Sequence, residues 1–138
     1  MIAATLRTDS NTSNAYFAKL FTAGTSGIGF QTGSGGVYSA NSGNTKISNH
    51  LDTPTVYWVV VRSGATQSVG YNQITVAAGV ALTNTLTGSS RGAVFAGSAD
   101  ANWNKFSIGA IQVVVRPSIT DAEAKAMVAK MQALHSIT

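Results

Sequence analysis

The chain has 138 residues, enough for one domain with a sizeable core, and carries 10% charged against 44% hydrophobic residues, a balance that excludes an intrinsically disordered segment. Nine Lys and Arg outweigh five Asp and Glu, but Arg7, Lys19, Lys46, Arg62, Arg91, Lys105, Arg116, Lys125 and Lys130 are scattered with no two adjacent, which argues against the basic stripe of a nucleic-acid binder. The absence of cysteine removes a disulfide framework, a thiolate metal site and a cysteine nucleophile, and no stretch is long and apolar enough to span a membrane.

The N-terminal Met1-Ile2-Ala3-Ala4-Thr5-Leu6-Arg7 has neither the basic n-region nor the apolar h-region of a secretory signal. It is expected to be a strand from Ile2 to Arg7 that starts at once, as if cut from a longer chain. A polar turn over Thr8 to Asn14 follows. Tyr16–Thr22 and Gly27–Thr32 are predicted to pair around Ala23-Gly24-Thr25-Ser26, and Gly33-Ser34-Gly35-Gly36 marks the next turn. Val37–Ala40 and Thr45–Ser48 read as short strands flanking Asn41-Ser42-Gly43-Asn44. Thr55-Val56-Tyr57-Trp58-Val59-Val60-Val61-Arg62 is almost entirely β-branched or aromatic, the pattern of a strand covered on both faces. Gln67–Tyr71 returns from it, Gln73–Ala77 is expected to continue past a kink at Asn72, and Val80–Leu86 and Ala93–Ala96 are weaker strands. Gly97–Lys105 reads as an irregular loop and Phe106–Arg116 as a long strand.

The chain ends in the one predicted helix, about 120–135. Thr120 and Glu123 have the N-cap and N3 spacing of a capping box, and Asp121 suits the positive end of the helix dipole. Ala124, Met127, Val128, Met131 and Leu134 fall on one face at helical period. Burying the four larger ones contributes roughly 1.5–3 kcal/mol each, before any opposing cost. His135 is expected near a frayed end.

Several stretches in this order carry a resemblance. They are Arg7-Thr8-Asp9-Ser10 at the end of the first strand, a Gly-rich meander, Tyr57-Trp58-Val59-Val60-Val61-Arg62-Ser63-Gly64 with its Val69-Gly70-Tyr71-Asn72-Gln73 return, and Phe106-Ser107-Ile108-Gly109-Ala110-Ile111-Gln112-Val113-Val114-Val115 leading into Ser118-Ile119-Thr120-Asp121-Ala122-Glu123. The chain resembles the laminin-G-like, concanavalin A-like lectin/glucanase domains over nearly its whole length. Where that family's last strand carries an acidic residue and then an aromatic, this chain has Gln112 and Val115. The resemblance implies an all-β fold: a two-sheet antiparallel jelly-roll sandwich, spanning 1–138 as a single domain, with one short C-terminal α-helix. It also implies the setting in which such domains occur: phage tail fibres, virion surface proteins and bacterial adhesins.

Some such domains are glycoside hydrolases, which need two carboxylates flanking the scissile bond. Of the five acids, Asp121 and Glu123 are accounted for by the helix start, and Asp9, Asp52 and Asp100 sit in separate predicted loops. His50 and Asp52 read as shaping the loop before Pro54, and no serine sits in a Gly-x-Ser-x-Gly elbow. Gly33-Ser34-Gly35-Gly36 lacks the lysine of a phosphate loop. No catalytic residue, metal ligand or cofactor is assigned. Calcium, which many members of the family hold, would have here Asp100 and Asn102 with Asp9 or Asp52, a weak ligand set.

A sugar needs an aromatic face for stacking and polar groups for its hydroxyls. Trp103, within Asp100-Ala101-Asn102-Trp103-Asn104-Lys105, is the leading platform, with Tyr71 and Asn72, and Tyr38 near Asn41 and Asn44, as weaker ones. Trp58 is expected in the core. The resulting expectation is a non-enzymatic binding domain of a phage or phage-like particle, a receptor-binding or decoration module on the virion surface or otherwise extracellular. Its partners would be host cell-surface polysaccharide and other virion subunits, with no nucleic acid and no membrane insertion. A homo-oligomer is expected, a trimer if it tips a fibre. The alternative is a purely structural virion protein that packs against neighbouring subunits, and the third reading is a glycoside hydrolase.

Overall fold

A computed structural model describes residues 1–8, 16–21, 27–33, 35–39, 45–49, 53–62, 66–81, 91–94, 106–114, 116 and 118–137. In chain order these contain β1 (Ile2–Thr8), β2 (Tyr16–Phe21), β3 (Gly27–Gly33), β4 (Gly36–Ser39), β5 (Lys46–Ser48), β6 (Thr55–Arg62), β7 (Thr66–Tyr71), β8 (Ile74–Ala81), β9 (Arg91–Val94), β10 (Phe106–Val113) and α1 (Asp121–Leu134). The strands form two five-stranded sheets, one ordered β10-β1-β6-β7-β8 and the other β5-β4-β3-β2-β9. All ladders are antiparallel. The chain passes between the sheets from β1 to β2, β5 to β6, β8 to β9 and β9 to β10, which sets β9 beside β2 and β10 beside β1.

Strand β6 lies at the centre of the first sheet, and successive side chains point to opposite faces. Tyr57 and Val59, with Ala4 and Val69 of neighbouring strands, meet Phe30, Val37 and Ile47 of the second sheet in one core, which also holds the buried Gln67, whose amide donates to Ser39 Oγ at 3.4 Å. Val56, Trp58 and Val60 point the other way and, with Ala3, pack under Ile119, Ala124, Val128 and Met131 of the helical segment. The molecule is therefore layered as helix, sheet, sheet, and the uninterrupted apolar run of β6 is explained by burial on both faces.

Trp58 has no exposed surface. Its indole lies against β7 at Gly70, where a Cβ would come 2.5 Å from indole Cζ2 and would clash with the Ile74 carbonyl oxygen. The indole N–H donates to the Asn72 carbonyl at 3.1 Å. That carbonyl is available because the Asn72 side chain takes over its place in the β6 pairing: the Val56 N–H donates to Asn72 Oδ1 at 3.0 Å, while the Asn72 N–H donates to the Val56 carbonyl at 2.7 Å. Asn72 adopts a left-handed φ of 46°, a conformation Asn tolerates better than most residues. Chain direction consequently reverses at Asn72-Gln73, and β8 returns antiparallel to β7. This corrects the expected continuation through a kink. It also joins the expected Gln73–Ala77 strand and the start of the Val80 strand into one element, β8.

The helix begins as its spacing implies. Thr120 Oγ1 accepts from the Glu123 N–H at 3.2 Å, and Glu123 Oε2 accepts from the Thr120 N–H at 2.9 Å. Its C-terminal half differs from expectation. Ala124, Val128 and Met131 are buried, but Leu134 is 80% exposed, because at 3.6 residues per turn it sits roughly 80° from the centre of that stripe. Ile137 closes the apolar face instead, packing against the same cluster. It gets there through a Schellman turn: Ser136 takes φ 51° and the Ile137 N–H donates to the Gln132 carbonyl at 2.9 Å. The helix is capped at His135 rather than frayed. Strand β10 ends at Val113, short of the expected Arg116, with Val114 still exchanging backbone hydrogen bonds with Met1 at 2.8 and 2.9 Å.

Substituting Gly70→Ala forces a methyl into the Trp58 ring and the Ile74 carbonyl, and should lower stability by about 1–3 kcal/mol in urea unfolding. Asn72→Ala removes the Val56 acceptor and strains the turn, at a similar cost of about 2–3 kcal/mol. Asn72→Gly, which relieves only the strain, should fall between wild type and Asn72→Ala.

Candidate functional site

Five of the seven residues expected to carry a glycan site, Asp100, Asn102, Trp103, Asn104 and Lys105, lie outside the described residues. So do His50 and the calcium candidates Asp9 and Asp52, as do Asn41 and Asn44 beside Tyr38. Tyr71 and Asn72 are described. Tyr71 is half-buried at the end of β7 and packs on the inter-sheet core, its ring 6.5 Å from that of Tyr57 at 44°. The neighbouring Phe30 and Tyr57 rings are 6.3 Å apart. The Tyr57 hydroxyl hydrogen-bonds Ser48 Oγ across the two sheets at 3.1 Å, and burial holds its pKa above the ordinary value of 10.0. With Asn72 engaged by Val56 and Trp58, this pair serves the fold: Tyr71 packs and Asn72 turns the chain.

The described carboxylates are engaged as well. Asp121 is held by the Arg62 guanidinium, which also donates to the Ile119 carbonyl at 2.8 Å and to Ser68 Oγ at 2.7 Å. This one side chain ties the start of the helix to the ends of β6 and β7. Glu123 closes the capping box and lies 3.4 Å from Arg116. Among the described residues no three His, Cys, Asp or Glu come together as a metal site, and no helix is long and apolar enough to cross a membrane.

Of the four sheet faces, two meet each other and the helix covers a third. The outer face of the second sheet is the one that no other described element packs upon. The register brings together a row on it that sequence reading missed. Tyr38 pairs with Lys46 on one side and Gln31 on the other, and Gln31 pairs with Tyr16. Because Val37 and Ser39 face inward, their neighbour Tyr38 faces outward. Tyr38 is half-buried, Lys46 is exposed and Gln31 is 7% exposed. The lysine stem lies across Gly36, where a Cβ would come 2.8 Å from Lys46 Cε and would clash with the Ser48 carbonyl oxygen. The half-buried Tyr38 ring beside the exposed Lys46 ammonium supplies a stacking surface flanked by one hydrogen-bonding group, with the buried Gln31 beneath the row. The residue types are individually unremarkable in sequence, and the strand pairing that aligns them has no local signal.

The hydrogen bonds from the Thr120 backbone and side chain hold the Glu123 carboxyl below its ordinary pKa of 4.5. A carboxyl depressed in the folded state stabilises above its unfolded pKa, and that contribution is lost as pH falls through the folded value. The difference in thermal midpoint between wild type and Glu123→Gln should therefore be constant near neutrality and shrink as pH drops below about 4.5, followed by helical circular dichroism.

Comparison with protein-family models, with curated proteins and with solved structures finds no match for this chain.

Proposed function

We propose that the chain is a non-enzymatic, concanavalin A-like jelly-roll domain of a phage or phage-like particle, and that it attaches to carbohydrate on the host cell surface. The connectivity supports the jelly-roll reading. Strand β10 lies beside β1 in one sheet and β9 beside β2 in the other, the strand order of a double-sheet roll. The observation that carries the binding role is the outward pair of Lys46 and Tyr38. The apolar face of a pyranose stacks on the Tyr38 ring while its hydroxyls meet the flanking Lys46 ammonium. Trp103 and its polar neighbours, close to the start of β10 in sequence, extend the same chemistry. The viral setting rests on the family resemblance.

A second reading, a structural virion protein that packs against its neighbours, draws support from exposed apolar residues on the sheet edges, Ile74 and Val76 on β8 and Val113 on β10.

A glycan array probed with the purified chain, followed by calorimetry on any hit, tests the proposal. Binding is expected, with Tyr38→Ala weakening it about ten-fold, the loss of one stacking contact worth about 1.4 kcal/mol, and Trp103→Ala weakening it comparably. Tyr71→Phe should leave it unchanged. A blank array for a protein that still incorporates into particles would establish the structural reading instead.

A further inference from the structure

Among the described strands the two sheets present four edges. Strand β5 has three residues and carries Lys46, β9 has four and carries Arg91, and β10 is bracketed in sequence by Lys105 and Arg116. Short length and charge are ordinary means by which an edge is kept from pairing with another chain. Edge β8 has neither. It is eight residues long, and no charged residue occurs between Arg62 and Arg91. Among the described strands it pairs with β7 alone, and it exposes Ile74 and Val76.

What β8 has instead is an irregular backbone. Gln67 pairs with Val80 and Val69 with Ala77, so the single residue Ser68 stands opposite both Ala78 and Gly79. Gly70 pairs with Thr75, the next step along β7, so Val76 has no residue opposite it. Both extra residues are on the edge strand. The same holds at the other edge of this sheet: Ala4 pairs with Ile111 and Leu6 with Ile108, which puts the extra residue in β10, at Gly109-Ala110. The inner ladders, β1 with β6 and β6 with β7, are regular. Gly79 takes a left-handed φ of 66°, while a Cβ there would meet nothing within 4 Å. The position therefore needs glycine for its backbone and not for space.

We infer that these two bulges guard the β8 edge: they leave it unable to accept a strand from another chain, where β5 and β9 are protected by shortness and charge. A bulge bends its strand, raises the local twist and leaves the extra residue out of the ladder. It also shifts by one residue which N–H and C=O groups point away from the sheet, because these alternate along a strand. Regular register survives in β8 only over Ile74–Thr75 and Val80–Ala81, with Ala77 single between them. A strand laid along the open side would therefore meet no uninterrupted run of backbone groups. The first sheet ends at β8, and a neighbour met there is met by the side chains of Ile74 and Val76, with no continuation of the sheet. The row carrying Tyr38 lies on the other sheet, so this inference does not rest on carbohydrate binding.

The test is the full chain with Val76 and Gly79 both deleted. Its hairpin would pair Ile74 with Tyr71, Thr75 with Gly70, Ala77 with Val69, Ala78 with Ser68, Val80 with Gln67 and Ala81 with Thr66, keeping every observed partner and no extra residue. In analytical ultracentrifugation at equal concentration this variant should reach at least twice the wild-type mass, with the wild-type circular dichroism spectrum. Adding Ala78→Lys, at an exposed position, should return it to the wild-type mass, since charge then does what the bulges did. Ala78→Lys alone should leave the wild-type mass unchanged. Amide hydrogen exchange on the unaltered chain reads the same edge even if the shortened chain fails to fold: the β8 N–H groups not bonded to β7 should exchange equally fast in dilute and concentrated solution. A folded shortened variant of wild-type mass, association that survives Ala78→Lys, a lower mass for Ala78→Lys alone, or β8 protection that grows with concentration would overturn the inference.

Discussion

The rest of the molecule depends on the burial of β6 on both faces. A strand with Tyr57 and Val59 on one side and Val56, Trp58 and Val60 on the other cannot be satisfied by one partner layer. One face needs a second sheet, and the other needs a cover that brings its own apolar stripe. The C-terminal helix is that cover. Each large side chain removed from water contributes roughly 1.5–3 kcal/mol, so leaving either face open would forfeit several such contributions at once. The helix is thus part of the core, and the fold is a three-layer arrangement built outward from one strand.

Polar groups then determine how the layers meet. Arg62, at the end of β6, holds the first turn of the helix through the Ile119 carbonyl and the Asp121 carboxylate. At the other end of the strand, the Asn72 side chain stands in for a backbone carbonyl opposite Val56, so that its own carbonyl can take the Trp58 indole N–H. Without that substitution a fully buried indole would lose its partner, an arrangement that costs about 1–3 kcal/mol. Both devices act at the ends of β6, where the apolar run stops.

This layering also decides where function can reside. Inner faces and the helix-covered face are closed. Among the described residues, the outer face of the second sheet and the edges of the sheets remain. The face carries the Tyr38 ring beside the Lys46 ammonium; the β8 edge carries exposed Ile74 and Val76 without charge. The two surfaces belong to different sheets.

Much of this was legible in the residues. The β6 run and the Thr120–Glu123 capping box are local patterns, in which neighbours along the chain report the periodicity and the cap, and both appear where the sequence put them. Asp121 and Glu123 were recognised as belonging to the helix start, although the Arg62 contact that holds Asp121 joins residues 59 positions apart and left no local sign. The reversal at Asn72, the exchange of Leu134 for Ile137 at the helix end and the alignment of Lys46, Tyr38 and Gln31 came only with the tertiary structure. Each depends on which strand lies beside which and in what register, or on how a helix is rotated against its sheet. Sequence by itself determined the elements and the strand that had to be buried twice. Packing decided the lateral order, the register and the free surfaces, because those follow from contacts between residues far apart along the chain.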